Sequence, residues 1–261
     1  CDFFDARLII VLKKIEHMNK VIPISIWSRG MINCFLIKGT EKHILVDTGV
    51  PNSENKIIAQ LNKQGVNKKD IGLIIVTHAH IDHFGSAYKL KQLLQVPILA
   101  HQLDVESYIT GKADISTMKL NKPQWWLFKQ IIKNQSTEPF QPDILINGDA
   151  EYDLKEWGTN GKIIHTPGHT PGSLSIILEN GEAIIMDMMA SGILLGGVMF
   201  HKRIKHPPFH DNIIELKNSF EKVLSQKAEL FYLGHGGPVN KSQIIRYYNK
   251  YLKNINNTSY V

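Results

Sequence analysis

The sequence predicts a layered α/β domain in which mixed β-sheets are covered by helices. Three observations lead there: short apolar runs recur along the chain, segments with helical spacing alternate with them, and hairpin-linked runs occur in both halves. The same rhythm fits other α/β folds, and periodicity alone does not choose among them.

In chain order, Ile32–Lys38 and His43–Asp47 are the first apolar runs, and Gly39-Thr40 between them marks a β-hairpin. Asn52–Gln64 carries Ile57, Ile58 and Leu61 at helical spacing, with Asn52 or Ser53 as cap and Gly65 as stop. Gly72–Thr77 is a continuous apolar run suited to a strand buried on both faces. Ser86–Gln95 reads as helix and Val96–Ala100 as the next strand. The stretch 102–142 interrupts this rhythm and reads as a mostly helical insertion, with Trp125, Trp126 and Phe128 inside it. Strands resume at Ile144–Ile146, Ile163–His165, Leu174–Leu178 and Ala183–Met186. Asn212–Leu224 is a helix, Leu230–Leu233 a strand and Ser242–Leu252 a closing helix. With no repeat and no linker, 18–261 reads as a single domain preceded by an N-terminal extension, 1–17.

The 261 residues suffice for a substantial core, and 43% hydrophobic with 21% charged is ordinary globular composition. The formal net charge of +6 comes largely from scattered lysines. A nucleic-acid partner asks for cations gathered on one face, so it is disfavoured against a small-molecule substrate. Two cysteines, Cys1 and Cys34, are too few for a disulfide framework or a thiolate zinc site. No segment reaches the length of a membrane span. Within 1–17 the apolar Leu8–Leu12 precedes Lys13 and Lys14, the reverse of a secretory signal. A cytoplasmic protein starting functionally at Met18 is favoured, and a periplasmic or lipid-anchored one beginning at Cys1 is the alternative. A homodimer is allowed.

The chemistry is concentrated in Thr77-His78-Ala79-His80-Ile81-Asp82-His83, directly after a buried strand. Imidazole nitrogen and carboxylate oxygen so close together suit zinc, and to a lesser degree iron or manganese. Further donors lie at element ends. His169 projects from a turn fixed by Pro167, Gly168, Pro171 and Gly172. Asp187 closes an apolar strand, where an unpaired carboxylate is costly to bury. His235 is flanked by Gly234 and Gly236, which allow close backbone approach.

The ordered set His78-x-His80-x-Asp82-His83, His169, Asp187 and His235 resembles the metallo-β-lactamase superfamily, from about Ile32 to Pro238. The resemblance implies a four-layer αββα sandwich of two mixed sheets flanked by helices. It implies two metal ions, most readily Zn2+, one on His78, His80 and His169, the other on Asp82, His83 and His235, with Asp187 between them. Asp47, in Asp47-Thr48-Gly49, matches the family's first motif and would orient a ligand histidine. The implied activity is hydrolysis by a hydroxide formed from a metal-bridging water, with Asp82 orienting the nucleophile.

Among branches of that family, Asp187 followed by Met188 and Met189 looks like glyoxalase II thioesterases and lactonases, so an ester, thioester or lactone is the expected substrate. A β-lactam hydrolase, a phosphodiesterase or nuclease, and a mononuclear iron persulfide dioxygenase are the alternatives. Trp125, Lys202, Arg203 and His206 are candidate substrate contacts, because they lie in segments flanking the metal-ligand motifs.

Overall fold

The computed structural model describes residues 19–115, 119–120, 135–193, 199–200, 203–207 and 209–255. Its main strands form two six-stranded sheets. In the first, β1 (Val21–Trp27), β2 (Ile32–Ile37) and β3 (His43–Val46) run antiparallel, and the β2–β3 hairpin pairs Leu36 with Leu45. The sheet continues parallel to β3 through β4 (Ile71–Ile75) and β5 (Ile98–His101). A short β6 (Lys119–Leu120) pairs elsewhere, and β7 (Ile144–Ile146) closes the sheet beside β5.

The second sheet is built from β8 (Tyr152–Asp153), β9 (Gly161–His165), β10 (Leu174–Leu178) and β11 (Glu182–Ile184), successive antiparallel neighbours. Three short strands follow, β12 (Ala190–Ser191), β13 (Ile204–Lys205) and β14 (Phe209–His210); β12 pairs with β13 and β14 with β6. Then β15 (Leu230–Tyr232) joins the second sheet parallel to β11, and β16 (Val239–Asn240) forms its far edge. Both large sheets are therefore mixed.

The alternation of side chains along each strand explains the layering. Phe35, Ile37, Ile44, Val46, Leu73 and Ile75 of the first sheet pack against Ile163, Leu174, Ile176, Leu178 and Ile184 of the second. Their sequence neighbours Cys34, Leu36, Leu45 and Ile74 point the other way. They meet Ile57 and Leu61 of α1 (Glu54–Lys63), Phe84 of α2 (Ile81–Phe84), Leu90 of α3 (Ala87–Leu94) and Tyr108 of α4 (Val105–Thr110). On the outer side of the second sheet, Ile164, Ile177, Ala183 and Phe231 pack on Leu216, Phe220 and Val223 of α5 (Ile213–Leu224) and Ile244 and Tyr247 of α6 (Lys241–Tyr251). Helix, sheet, sheet, helix is the αββα sandwich. Each fully buried Ile, Leu or Val contributes about 1.5–3 kcal/mol, so these three clusters dominate the stabilisation.

Several expectations are corrected in detail. Within the 102–142 stretch, Gly111 at φ +67° ends the helix Val105–Thr110 and residues 135–143 run without helix, while 116–118 and 121–134 lie outside the described residues. Trp125 and the extension 1–17 lie outside the described residues. Ser53 stands at the N-cap of α1 without making a side-chain cap bond; instead its N–H donates to Ser86 Oγ (2.8 Å). The strand read as Ala183–Met186 stops at Ile184, because the chain turns through Met186 at φ +40°. Asp187 thus sits in a tight turn rather than on a strand end. Among the described residues no helix is long and apolar enough to cross a membrane.

Candidate metal centre

Asp47 follows β3, Thr77–His83 follows β4, Asp187 follows β11, and His235 follows β15. β3 is parallel to β4, and β11 to β15, so within each sheet these residues leave from the same end of paired strands. His169 comes from the connection between β9 and β10. Backbone hydrogen bonds join the two sheets at this edge: Leu174 N–H donates to Thr77 O (2.8 Å) and Asn33 N–H to Gly234 O (2.9 Å).

Three overlapping groups of side chains converge among the described residues: Asp47, His78 and His83, and two built from the expected ligands. One ligand atom from each of His78, His80 and His169 lies within 4.8 Å of the others, and the same holds for Asp82, His83 and His235. Between the latter two groups stands Asp187. Its Oδ2 is 3.0 Å from His235 Nε2, 3.6 Å from His83 Nε2 and 3.6 Å from His169 Nε2.

Neighbours fix which ring nitrogen faces the centre. Thr77 donates its hydroxyl proton to Asp47 Oδ2 (2.8 Å), so its oxygen is left to accept from His78 Nδ1 (3.1 Å). His83 Nδ1 donates to Asp47 Oδ2 (2.7 Å) and His235 Nδ1 to Met31 O (2.5 Å). In all three rings Nε2 is thereby turned inward, the orientation that ligand histidines need. Asp47 also accepts from Thr77 N–H (2.7 Å), so its oxygens are engaged; it can orient the rings but is poorly placed to serve as a direct ligand.

The donors fit a cation. His78 Nε2, His83 Nε2 and Asp187 Oδ1 are buried without a hydrogen bond. Leaving such atoms unmatched costs about 1–3 kcal/mol apiece, which coordination to a metal would offset. The spacing is also tight: a Cβ at Gly234 would stand 2.0 Å from Asp187 Oδ1 and 2.8 Å from His83 Cε1.

Electrostatics divides the centre in two. Burial, reinforced by neighbouring imidazoles, pushes His78 and His169 well down, and burial takes His80 down to about 4, so this group presents neutral lone pairs. Burial opposes charge on His83 and His235 too, but Asp187 and Asp82 override it and lift His235 to about 10. Burial likewise works to raise Asp187, yet His235 and His83 hold it well below the usual carboxylate range. Burial is the larger effect on Asp47, lifting it in spite of its bonds to His83 and Thr77.

The sequence-predicted residues His78, His80, Asp82, His83, His169, Asp187, His235 and Asp47 are thus brought together. Of the candidate substrate contacts, His206 and Arg203 fall within the described residues. His206 Nδ1 lies 2.5 Å from Tyr247 Oη, and its ring packs beside Tyr247 and Tyr251 of the closing helix and beside His210 of β14. Arg203 is exposed, and Lys202, like Trp125, lies outside the described residues. Two supporting residues carried no signal in the sequence. Thr77 reads there as a strand residue, and Asn33 as one polar residue in an apolar run. Asn33 is buried, and its amide donates to Leu233 O (3.1 Å) and Gly236 O (3.0 Å), holding the loop that carries His235.

The sequence pattern of the metallo-beta-lactamase superfamily matches residues 27–235. The chain belongs to this superfamily. A probable metallo-hydrolase of Methanocaldococcus jannaschii is 30% identical over 212 residues, covering 78% of this chain and 87% of the relative. A hydroxyacylglutathione hydrolase of Haemophilus influenzae is 28% identical over 175 residues, 66% of this chain and 72% of that protein. An archaeal metallo-beta-lactamase superfamily protein from Sulfolobus tokodaii shares the fold, with a TM-score of 0.62 at 19% identity over 89% of this chain and 86% of the other. As a member of the metallo-beta-lactamase superfamily, the protein is a metal-dependent hydrolase.

Proposed function

We propose that the enzyme holds two zinc ions and hydrolyses a small-molecule ester, thioester or lactone. The observation that carries the two-metal reading is the convergence of a second ligand set, Asp82, His83 and His235, beside His78, His80 and His169. His78, His80 and His169 would hold one ion, Asp82, His83 and His235 the other, and Asp187 would bridge them. When bound, the ions supply a Lewis acid for the substrate oxygen and make a water acidic enough to act as nucleophile near neutral pH.

The chain's own groups do the rest. Asp47 holds His83 directly and His78 through Thr77, which fixes the direction of both rings. Asp82 is the least buried carboxylate of the cluster, with its side chain 23% exposed and Oδ2 3.3 Å from His235 Nε2. It is therefore placed to orient the attacking water on the solvent side, while, against burial, His83 and His235 hold it ionised. The thioester option is supported by the hydroxyacylglutathione hydrolase relative, and the scattered lysines favour small molecules over nucleic acid.

Elemental analysis of protein purified without added metal, with assays on thioester, lactone, β-lactam and phosphodiester probes, tests this reading. About two zinc ions per chain, with activity lost to chelator and restored by zinc, supports it, and the best probe then names the substrate class. One iron per chain without hydrolysis overturns it.

A further inference from the structure

The loops carrying His78, His80 and His169 issue from different sheets, and one buried carboxylate joins them. Asp104 stands at the N-cap of α4, 4% exposed. Its Oδ2 accepts from Ala79 N–H (2.9 Å) and from the Thr170 hydroxyl (2.8 Å), and its Oδ1 accepts from Gly172 N–H (2.8 Å). Ala79 lies between His78 and His80, and Thr170 directly follows His169. A carboxylate inserted between the two loops thus spans the first histidine group from behind. The approach is close on the second side: a Cβ at Gly172 would meet the Asp104 carboxyl carbon at 2.6 Å. Burying a carboxylate here is costly, and burial raises its pKa despite the three hydrogen bonds.

We infer that Asp104 is a positioning residue for the histidine group. By holding Ala79, Thr170 and Gly172 at once, it sets the separation of the two loops and so the affinity of His78, His80 and His169 for a metal ion. The inference rests on the reading of those histidines as ligands.

Asp104→Asn keeps the shape but converts one accepting oxygen into an NH2 donor, so Ala79 N–H or Gly172 N–H loses its acceptor. The test is competition for zinc between the metal-stripped protein and a chromophoric chelator. One zinc ion should bind about 10–100-fold more weakly in Asp104→Asn, the scale of losing a ligand's hydrogen-bonded support. Thr170→Val, which removes a single donor to Asp104, should weaken binding less, and Thr170→Ser, which restores the hydroxyl, should recover it. Far-UV circular dichroism establishes that each variant is folded; if Asp104→Asn is not, the Thr170→Val and Thr170→Ser pair decides. Zinc binding within twofold of the unaltered chain in the folded variants overturns the inference alone. An unaltered chain that binds no zinc overturns the proposed metal site, and the inference with it.

Discussion

Two histidine pairs in this chain have nearly the same internal geometry and different surroundings. The rings of His78 and His80 are 4.9 Å apart at 86°, and those of His206 and His210 are 5.1 Å apart at 73°. Burial takes both His80 and His206 down to about 4. What separates the pairs is the company each keeps. His78 and His80 face His169 and lie beside Asp82 and Asp187, with His78 Nδ1 anchored so that Nε2 points inward. His206 gives its Nδ1 to the Tyr247 hydroxyl, and neither His206 nor His210 belongs to a convergent set of three ligand groups among the described residues. What distinguishes the first pair is the third imidazole that converges on it and the anchored ring nitrogen of His78.

The comparison can be broken or sharpened by substitution, and the largest effect should come from the first region. Asp82→Ala should lower turnover by about 10²–10⁴-fold, the range for loss of a side chain positioned on the nucleophile. Zinc per chain should fall with it while circular dichroism stays unchanged. Unaltered turnover would remove Asp82 from the mechanism. Asp47→Asn is expected to weaken zinc binding by about 10–100-fold, read by chelator competition, because both His83 and His78 depend on it for orientation.

In the second region, His206→Gln should leave zinc content unchanged and show itself only in acid. With its folded pKa at about 4 against an ordinary 6.5, His206 binds protons more readily in the unfolded chain across that interval. Its contribution to stability is present above pH 6.5 and is lost as pH falls through 4. Urea midpoints measured from pH 7 to 4 should therefore drop more steeply in the unaltered chain than in His206→Gln; parallel curves would refute the linkage. The smallest effect is expected from Arg203→Ala, a shift of roughly two- to fivefold in relative kcat/KM across a substrate panel, the scale of one exposed charge. An unchanged ranking would assign Arg203 to the solvated surface.

The fold and the metal-ligand set were largely legible in the sequence because both are written in local patterns. The run after Gly72 marked a buried strand, and the His78–His83 cluster at its end is short enough to be seen whole. Asp187 and His235 were found through the strands before them, even though the first strand ends earlier than its apolar run. What escaped was support that depends on tertiary contact. Asp104, Asn33 and the Met31 carbonyl act on loops distant in sequence, and neither their type nor their spacing marks them. The partner of His206 escaped for the same reason: Tyr247 lies on the closing helix. The short strands from β12 to β14 were missed, since two-residue ladders have no periodicity to read, and β1 was missed although Ile24, Ser25, Ile26 and Trp27 alternate in burial.

The crowding at Gly234 has a consequence for how this protein can change over generations. Every replacement there adds a Cβ that meets Asp187 and His83, side chains of the cluster rather than of a core layer. The carboxylate can swing aside and leave the sandwich standing, so the loss would be of function rather than of folding. In a saturation library at this codon, selection for abundance should retain many residues, whereas selection for activity should return glycine alone.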